Sequence, residues 1–371
     1  LPDNDPIKAK IREICKEALT DQGLGVISVR RLADGSWERT NSPADRRITG
    51  ISGLENGRYL KTTGPAVAIF QKQKGQGYID GLGDRIIGTF ANCAGGTTPW
   101  GTVLSGEENF QAQVPEPVYP DGTSYEPAEL PFSTASLDGQ GNVFGLAGNK
   151  YGWIVELGPA NPNDYGTKHT WLGRYRHEAV GVRVEAGKPL AFYSGCDRMG
   201  GHIYKFVSTD AVTNPTDKAN SQLLAKGQLY AAKFNQDGTG IWIPLKADTP
   251  TEPDLASNII GNALLLPNRK QGNTTVGKQR TEEESQPPKS LNPGKNPYIK
   301  VEKDEQIAQF KQQFKTLGDL YTGTAQEKQG AILIDAHYAA NAAGATCTAR
   351  PEDTEIAPDG SLYITFTAGL S

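Results

Sequence analysis

LAFYSGCDRMGGHIYKFVS, residues 190–208, sets the class of fold. Two runs of aromatic and aliphatic residues, LAFYSG and HIYKFVS, flank GCDRMGG, whose glycines suit a change of direction between strands. Downstream, GQLYAAKF (227–234) and GIWIPL (240–245) meet across the turn NQDGTG. Upstream and at the far end the plan repeats in PAVAIF (65–70), RIIGTF (85–90), GTVLS (101–105), WIVEL (153–157), EAVGVRVE (178–185) and SLYITFT (361–367), with turns such as LDGQGN and APDGS. GVISVRRLADGSWERT (25–40) reads as strand, turn and strand. So many short strands predict a mainly β chain built as a sandwich, barrel or propeller, and the propeller best accommodates the number. No strict repeat of blade length is present to fix it.

Two segments depart from this pattern. Ile7, Ile11, Ile14, Cys15 and Leu19 recur at helical spacing, so residues 1–20 form an N-terminal segment with an amphipathic helix over 5–19 that packs on the body. Residues 248–330 read as a helical and loop-rich insertion within a β domain spanning 21–371. DTPTEPDLASN and GKQRTEEESQPPKSLNPGKNP suit loop, and VEKDEQIAQFKQQFKTLGDLY (301–321) has helical spacing through Ile307, Phe310, Phe314 and Leu317. A solvated excursion or a lid would both fit that composition.

The formal charge is −4, from 38 Lys and Arg against 42 Asp and Glu, and no basic tract interleaves with aromatics, so no nucleic-acid partner is expected. No apolar run reaches the length of a membrane span. The 43 glycines and 24 prolines agree with a turn-rich fold. Four dispersed cysteines form no CxxC pair, which excludes the common zinc knuckle and leaves a disulfide open.

Candidate chemistry clusters at strand ends. Cys93 follows RIIGTF and precedes a Gly-Gly turn, where it is either a small buried apolar side chain or a thiolate ligand for a soft cation. Glu107 and Glu108 are adjacent, so in an extended chain they face opposite ways and only one reaches a shared site. In RYRHEAV, Glu178 follows His177 without the HExxH spacing of a helical zinc site. With only four histidines, any multimetal site must draw mainly on carboxylates. Asp197, Arg198 and Lys205 are available for an anion or ion, with a plain turn role the alternative for Asp197. Arg350 and Glu352, two apart, share a face if extended. No dinucleotide, P-loop or nucleophile-elbow motif is present.

Taken in order, ADRRITG (44–50), NCAGGTTPWGTVLSGEENF (92–110), GRYRHEAV (173–180), GCDRMGGHIYKFVS (195–208) and ARPEDTEIAPDGSLYITFT (349–367) resemble the bacterial PhoX family of alkaline phosphatases. The resemblance covers most of 22–247 and 331–368. It implies a six-bladed β-propeller, periplasmic or secreted, that releases phosphate from small-molecule monoesters at an Fe3+ and Ca2+ cluster; a monomer is the default expectation. It further implies metal ligation by Cys93, Glu108, Glu178 and Glu352 and phosphate binding by Arg350, with Asp197, Arg198 and Lys205 as possible substrate or supporting residues. Calcium-dependent hydrolysis of phosphodiesters or triesters, and a noncatalytic propeller, are the rival expectations. The family's NHE-like element near the start is missing, Ser105 and Gly106 stand where threonine and cysteine are more usual, and further acidic ligands are expected beyond ITFTAG, so the propeller is expected to be incomplete at a terminus.

Overall fold

The computed structural model describes residues 4–259, 264–269 and 297–368. The chain opens with helix α1 (Pro6–Asp21), started by the Asp5 carboxylate, which accepts from the Ile7 amide at 2.8 Å, and by Pro6 in the first turn. Only part of its apolar set turns inward. Cys15 and Leu19 are buried, whereas Ile7 and Ile14 stay exposed.

Four short strands follow: β1 (Gly23–Val26), β2 (Val29–Arg31), β3 (Trp37–Arg39) and β4 (Arg46–Thr49), with β1 paired to β4 and β2 to β3. The first five-stranded sheet contains β5 (Lys61–Thr63), β6 (Asn92–Thr97), β7 (Val103–Glu107), β8 (Ile154–Leu157) and β9 (Thr167–His169), in the order β5-β9-β8-β7-β6. All its pairs are antiparallel except β5 with β9. The second contains β10 (Gly181–Arg183), β11 (Pro189–Gly195), β13 (Ile203–Ala211), β14 (Gly227–Phe234) and β15 (Gly240–Pro244), in chain order and antiparallel throughout; β12 (Met199–Gly201) lies between β11 and β13 in sequence but outside this sheet. The described residues therefore form a mainly β protein with open sheets.

LAFYSG and HIYKFVS are β11 and β13, paired through Phe192↔Phe206 and Ser194↔Tyr204. Phe192, Tyr204, Phe206 and Leu229 are fully buried, and burial of an aliphatic or Phe side chain of this kind is worth roughly 1.5–3 kcal/mol relative to exposure. Two expected strands are not formed. In PAVAIF, Val67–Phe70 is a short helix, α2, because Pro65 suits a helix start and the apolar run is too short for periodicity to choose between helix and strand. RIIGTF contributes only the isolated bridge Leu60↔Ile86. NCAGGT, expected as a strand end and turn, is instead the edge strand β6.

The described parts of 248–330 pack into the body. β16 (Leu264–Pro267) pairs with β17 (Tyr298–Val301), and α3 (Asp304–Gln313) follows. Ile307, Phe310, Phe314, Leu317 and Leu320 join the apolar cluster that holds Phe206 and Leu229, so this stretch is core there rather than a solvated excursion. The loop expected over 277–297 lies outside the described residues except at Pro297. Helices α4 (Ala325–Ile334) and α5 (Ala336–Ala343) complete that core, and β18 (Thr348–Ala349), β19 (Pro351–Ile356) and β20 (Leu362–Phe366) end the described chain. No helix of the described residues is long and apolar enough to cross a membrane.

α5 and the segment after it bury two histidines. His202 lies between two acceptors, Thr346 O at 2.9 Å from Nδ1 and Asn341 Oδ1 at 2.8 Å from Nε2, which favour its proton, yet burial outweighs them and pushes its pKa down to about 4. His337, with its ring centroid 5.2 Å from that of His202, is held well below the usual value by burial and by Arg198, His202 and Arg176. Both groups take up protons more readily when unfolded, so stability is present above pH 6.5 and is lost as pH falls from 6.5 towards 4. For His202 alone the loss is about 3 kcal/mol at 1.36 kcal/mol per unit. Because the raised Glu108 and Glu178 carboxyls act in the opposite sense over the same range, the test is the difference between proteins: from pH 7 to 4.5 the urea midpoint of wild type is expected to fall further than that of His202→Gln, and an equal fall would contradict the assignment.

Candidate metal centre

Three separated segments meet at the end of β7. Where the strand ends, the alternation of side chains divides two chemically identical neighbours, Glu107, its last residue, and Glu108, the next one. Glu107 points into the core and accepts from Lys168 Nζ at 2.6 Å, Thr89 Oγ1 at 2.8 Å, and the Gly152 and Trp153 amides at 2.9 and 3.1 Å. Glu108 points the other way, its backbone amide donating to Ala91 O at 2.9 Å and its carboxylate accepting from Asn109 Nδ2.

The edge strand β6 brings Cys93 alongside. Its pairing with β7 shifts register between Asn92 and Gly95, an irregularity of the kind that re-aims a side chain, and Ala91 just before it has φ 55°. The third segment carries Glu178, whose amide donates to Gly195 O at 3.3 Å beside the His177↔Cys196 bridge. Close approach of these segments requires two glycines. A Cβ on Gly106 would stand 2.7 Å from His177 Cβ, and one on Gly195 would stand 2.4 Å from Pro351 O. The missing side chain at Gly106 therefore lets the His177 backbone rest on β7.

The result is a tight donor set. One ligand atom each from Cys93, Glu108 and Glu178 lie within 4.8 Å of one another, and Cys93 Sγ donates to Glu178 Oε1 at 3.0 Å. Glu178 Oε2 is buried without a hydrogen-bond partner among the described residues. Burial, then the neighbouring Glu178 and Asp197 carboxylates, push Glu108 up to about 8, and burial also raises Glu178. Burial and Glu178, with Glu108 and Asp197, push the Cys93 thiol up to about 12. Like charges crowded around an orphaned oxygen are unfavourable by themselves and are relieved by a cation, which also deprotonates a coordinating thiol. The donors therefore fit a metal, with oxygens for a hard ion and one sulfur for a transition ion.

Arg350 and Glu352 sit at the rim. Arg350 Nε and Nη2 donate to Asp197 Oδ1 and Oδ2 at 2.9 and 2.8 Å, Nη2 also reaches Glu352 Oε1 at 2.9 Å, and Thr367 Oγ1 donates to the same Glu352 oxygen. Glu352 acts on Glu178 through its charge but is not among the three converging donors. Two other expected residues lie elsewhere. Arg198 is buried on Glu116 and over the Tyr338 ring. Lys205 is on the second sheet, 4.8 Å from the Trp242 ring centroid and 5.9 Å from that of Tyr230.

The residue that sequence reasoning missed is Glu116. Burial opposes its charge, but Arg198 and Arg176 hold its pKa down to about 2. Arg176 also lowers the Glu108 pKa, so this buried group sets part of the positive potential behind the acids. Nothing in VPEPVY marks Glu116 out; its partners are 60 and 82 residues away.

A mainly β chain thus gathers a thiol and carboxylates beside a forked arginine, a donor set whose chemistry fits a cation. The family described as alkaline phosphatase PhoX matches residues 4–371, and the chain belongs to that family. Among solved structures it is similar to Pseudomonas fluorescens PhoX in complex with vanadate, a transition state analogue, with 27% identity, a TM-score of 0.60, and coverage of 95% of this chain and 51% of that one. The chain thus spans about half the length of that structure. A comparison with curated proteins finds no match.

Proposed function

We propose that the protein hydrolyses small-molecule phosphate monoesters at a centre holding Fe3+ and Ca2+. The observation that carries this reading is the convergence of Cys93, Glu108 and Glu178 within 4.8 Å, on a chain of the PhoX alkaline phosphatase family. In it, Cys93, Glu108, Glu178 and Glu352 hold the cations. When bound, such cations neutralise phosphoryl oxygens and acidify water.

The chain's own residues supply orientation and electrostatics. Arg350 presents its guanidinium towards the phosphoryl group, as suits a fork-shaped donor facing a tetrahedral anion. Glu116, Arg176 and Arg198 form a buried charged layer behind the acids, which limits their mutual repulsion. Glu107 fixes the β7 backbone from which Glu108 projects. The same proposal extends to a six-bladed propeller, a monomeric state, and location in the periplasm or outside the cell; the open sheets, antiparallel in every pair but β5 with β9, are consistent with propeller blades.

The test is elemental determination of the bound metals with phosphate release on mono-, di- and triesters. Monoesters are expected to be the preferred substrates. A calcium chelator is expected to lower turnover by at least about 10–100-fold, the scale on which even residues that only orient metal ligands act, and added calcium to restore it. Preference for di- or triesters would move the assignment to those substrates. Absence of both iron and hydrolysis in the folded chain would favour a noncatalytic binding module.

A further inference from the structure

We propose that Asp197 is a positioning residue that aims Arg350 at the substrate's phosphoryl group; this rests on the phosphatase reading above. The turn carrying Asp197 grips Arg350 by both backbone and side chain. β12 pairs with β18 through Met199↔Ala349 and Gly201↔Thr348, and the Arg350 amide donates to Arg198 O at 3.3 Å. Arg350 itself has φ 53°, a left-handed conformation that a side-chain-bearing residue holds only when its surroundings enforce it.

The fork then fixes the guanidinium. Both Asp197 oxygens are engaged by Nε and Nη2, and the second contact of Nη2 is with Glu352. Nη1 makes no hydrogen bond among the described residues, so it is the end of the guanidinium left for an anion. Exposure agrees with this division, since the Asp197 side chain is 7% exposed and that of Arg350 is 39% exposed. The acid braces the arginine from behind. Asp197 is itself tied to the metal-centre segment, its amide donating to Arg176 O at 2.9 Å.

Asp197 also lies near enough to Glu108, Glu178 and Cys93 to act on each through its charge, so direct cation binding is the competing role. A double-mutant cycle separates the two. Asp197→Ala, Arg350→Ala and the double variant are compared with the wild-type full chain, loaded with its metals, for kcat, KM on a phosphomonoester, affinity for inorganic vanadate, and metal content. Asp197→Asn, which keeps the size and one acceptor oxygen, serves if Asp197→Ala does not fold.

The expected result is that Asp197→Ala raises KM and weakens vanadate by about 10–100-fold, the scale of a hydrogen-bonded charge pair, with metal content unchanged. In the Arg350→Ala background the same substitution is expected to add less than about 2-fold, because residues acting as a unit do not lose independently. Multiplying losses, or loss of metal in Asp197→Ala or Asp197→Asn, would overturn the positioning role while leaving the phosphatase reading intact. A folded, metal-loaded wild type that neither cleaves monoesters nor binds vanadate would overturn both.

Discussion

Glu107→Ala is expected to destabilise the protein by about 3–5 kcal/mol, the cost of removing one partner from a buried ion pair. Neither Glu107 nor Lys168 has any exposed side-chain area. The carboxylate answers four donors at once, and the ammonium, besides Glu107, has among the described residues only the Lys150 carbonyl at 3.0 Å and the Tyr151 ring at 4.2 Å from its centroid. Burial already lowers the Lys168 pKa to about 8 against the opposing pull of Glu107. Without the carboxylate the lysine must lose its proton or draw water into the core, and the Thr89 hydroxyl and two amides lose their acceptor. Urea unfolding measures the effect. Replacing both partners by apolar residues of similar size, Glu107→Leu with Lys168→Met, is expected to recover the part of the loss that comes from the unpaired ammonium, while the Thr89 hydroxyl and the Gly152 and Trp153 amides stay without this acceptor. A Glu107→Ala midpoint equal to wild type would show that the pair contributes nothing.

The second large effect concerns activity rather than stability. On the proposed phosphatase reading, in which both side chains hold a cation, Cys93→Ala and Glu178→Ala are each expected to reduce phosphate release by more than about 100-fold, beyond the range reached by residues that only orient metal ligands. The metal-free chain should be as stable as wild type or more so in Glu178→Ala. That substitution removes a buried oxygen without a partner and one of the carboxylates that raise the Glu108 pKa. Sites that hold unfavourable charge for function commonly trade stability in this way. Phosphate release is measured beside circular-dichroism melts of the metal-free proteins. Wild-type activity in both variants would remove these side chains from the centre.

What the sequence revealed depended on distance along the chain. Strands carrying alternation beside a turn, such as LAFYSG and HIYKFVS, were legible because their period is local. PAVAIF was not, because four or five apolar residues suit either a helix or a strand and packing made the choice. The opposed orientation of Glu107 and Glu108 followed from the period of an extended chain; Arg350 and Glu352 do meet, Nη2 to Oε1 at 2.9 Å, but not for the reason the spacing suggested, because the backbone at Arg350 is left-handed with φ 53° and not extended. The fork between Asp197 and Arg350 spans 153 residues and leaves no periodic trace, so the turn at 195–201 showed a charged residue but not its partner. Lys205 was a candidate by proximity in sequence alone, and the sheet carries it to Trp242 and Tyr230 instead.

The opposed glutamates make β7 intolerant of length change. Deleting one residue between Val103 and Gly106 would slide the register by one: Glu108 would take the inward place beside Lys168, Asn109 would take the place of Glu108 beside Cys93 and Glu178, and Glu107 would fall where Gly106 stands, a position at which even a Cβ lies 2.7 Å from His177 Cβ. The composition would barely alter, yet the interior and the reactive surface would fail together. Indels should therefore be tolerated at a turn such as 186–188 long before they are tolerated here.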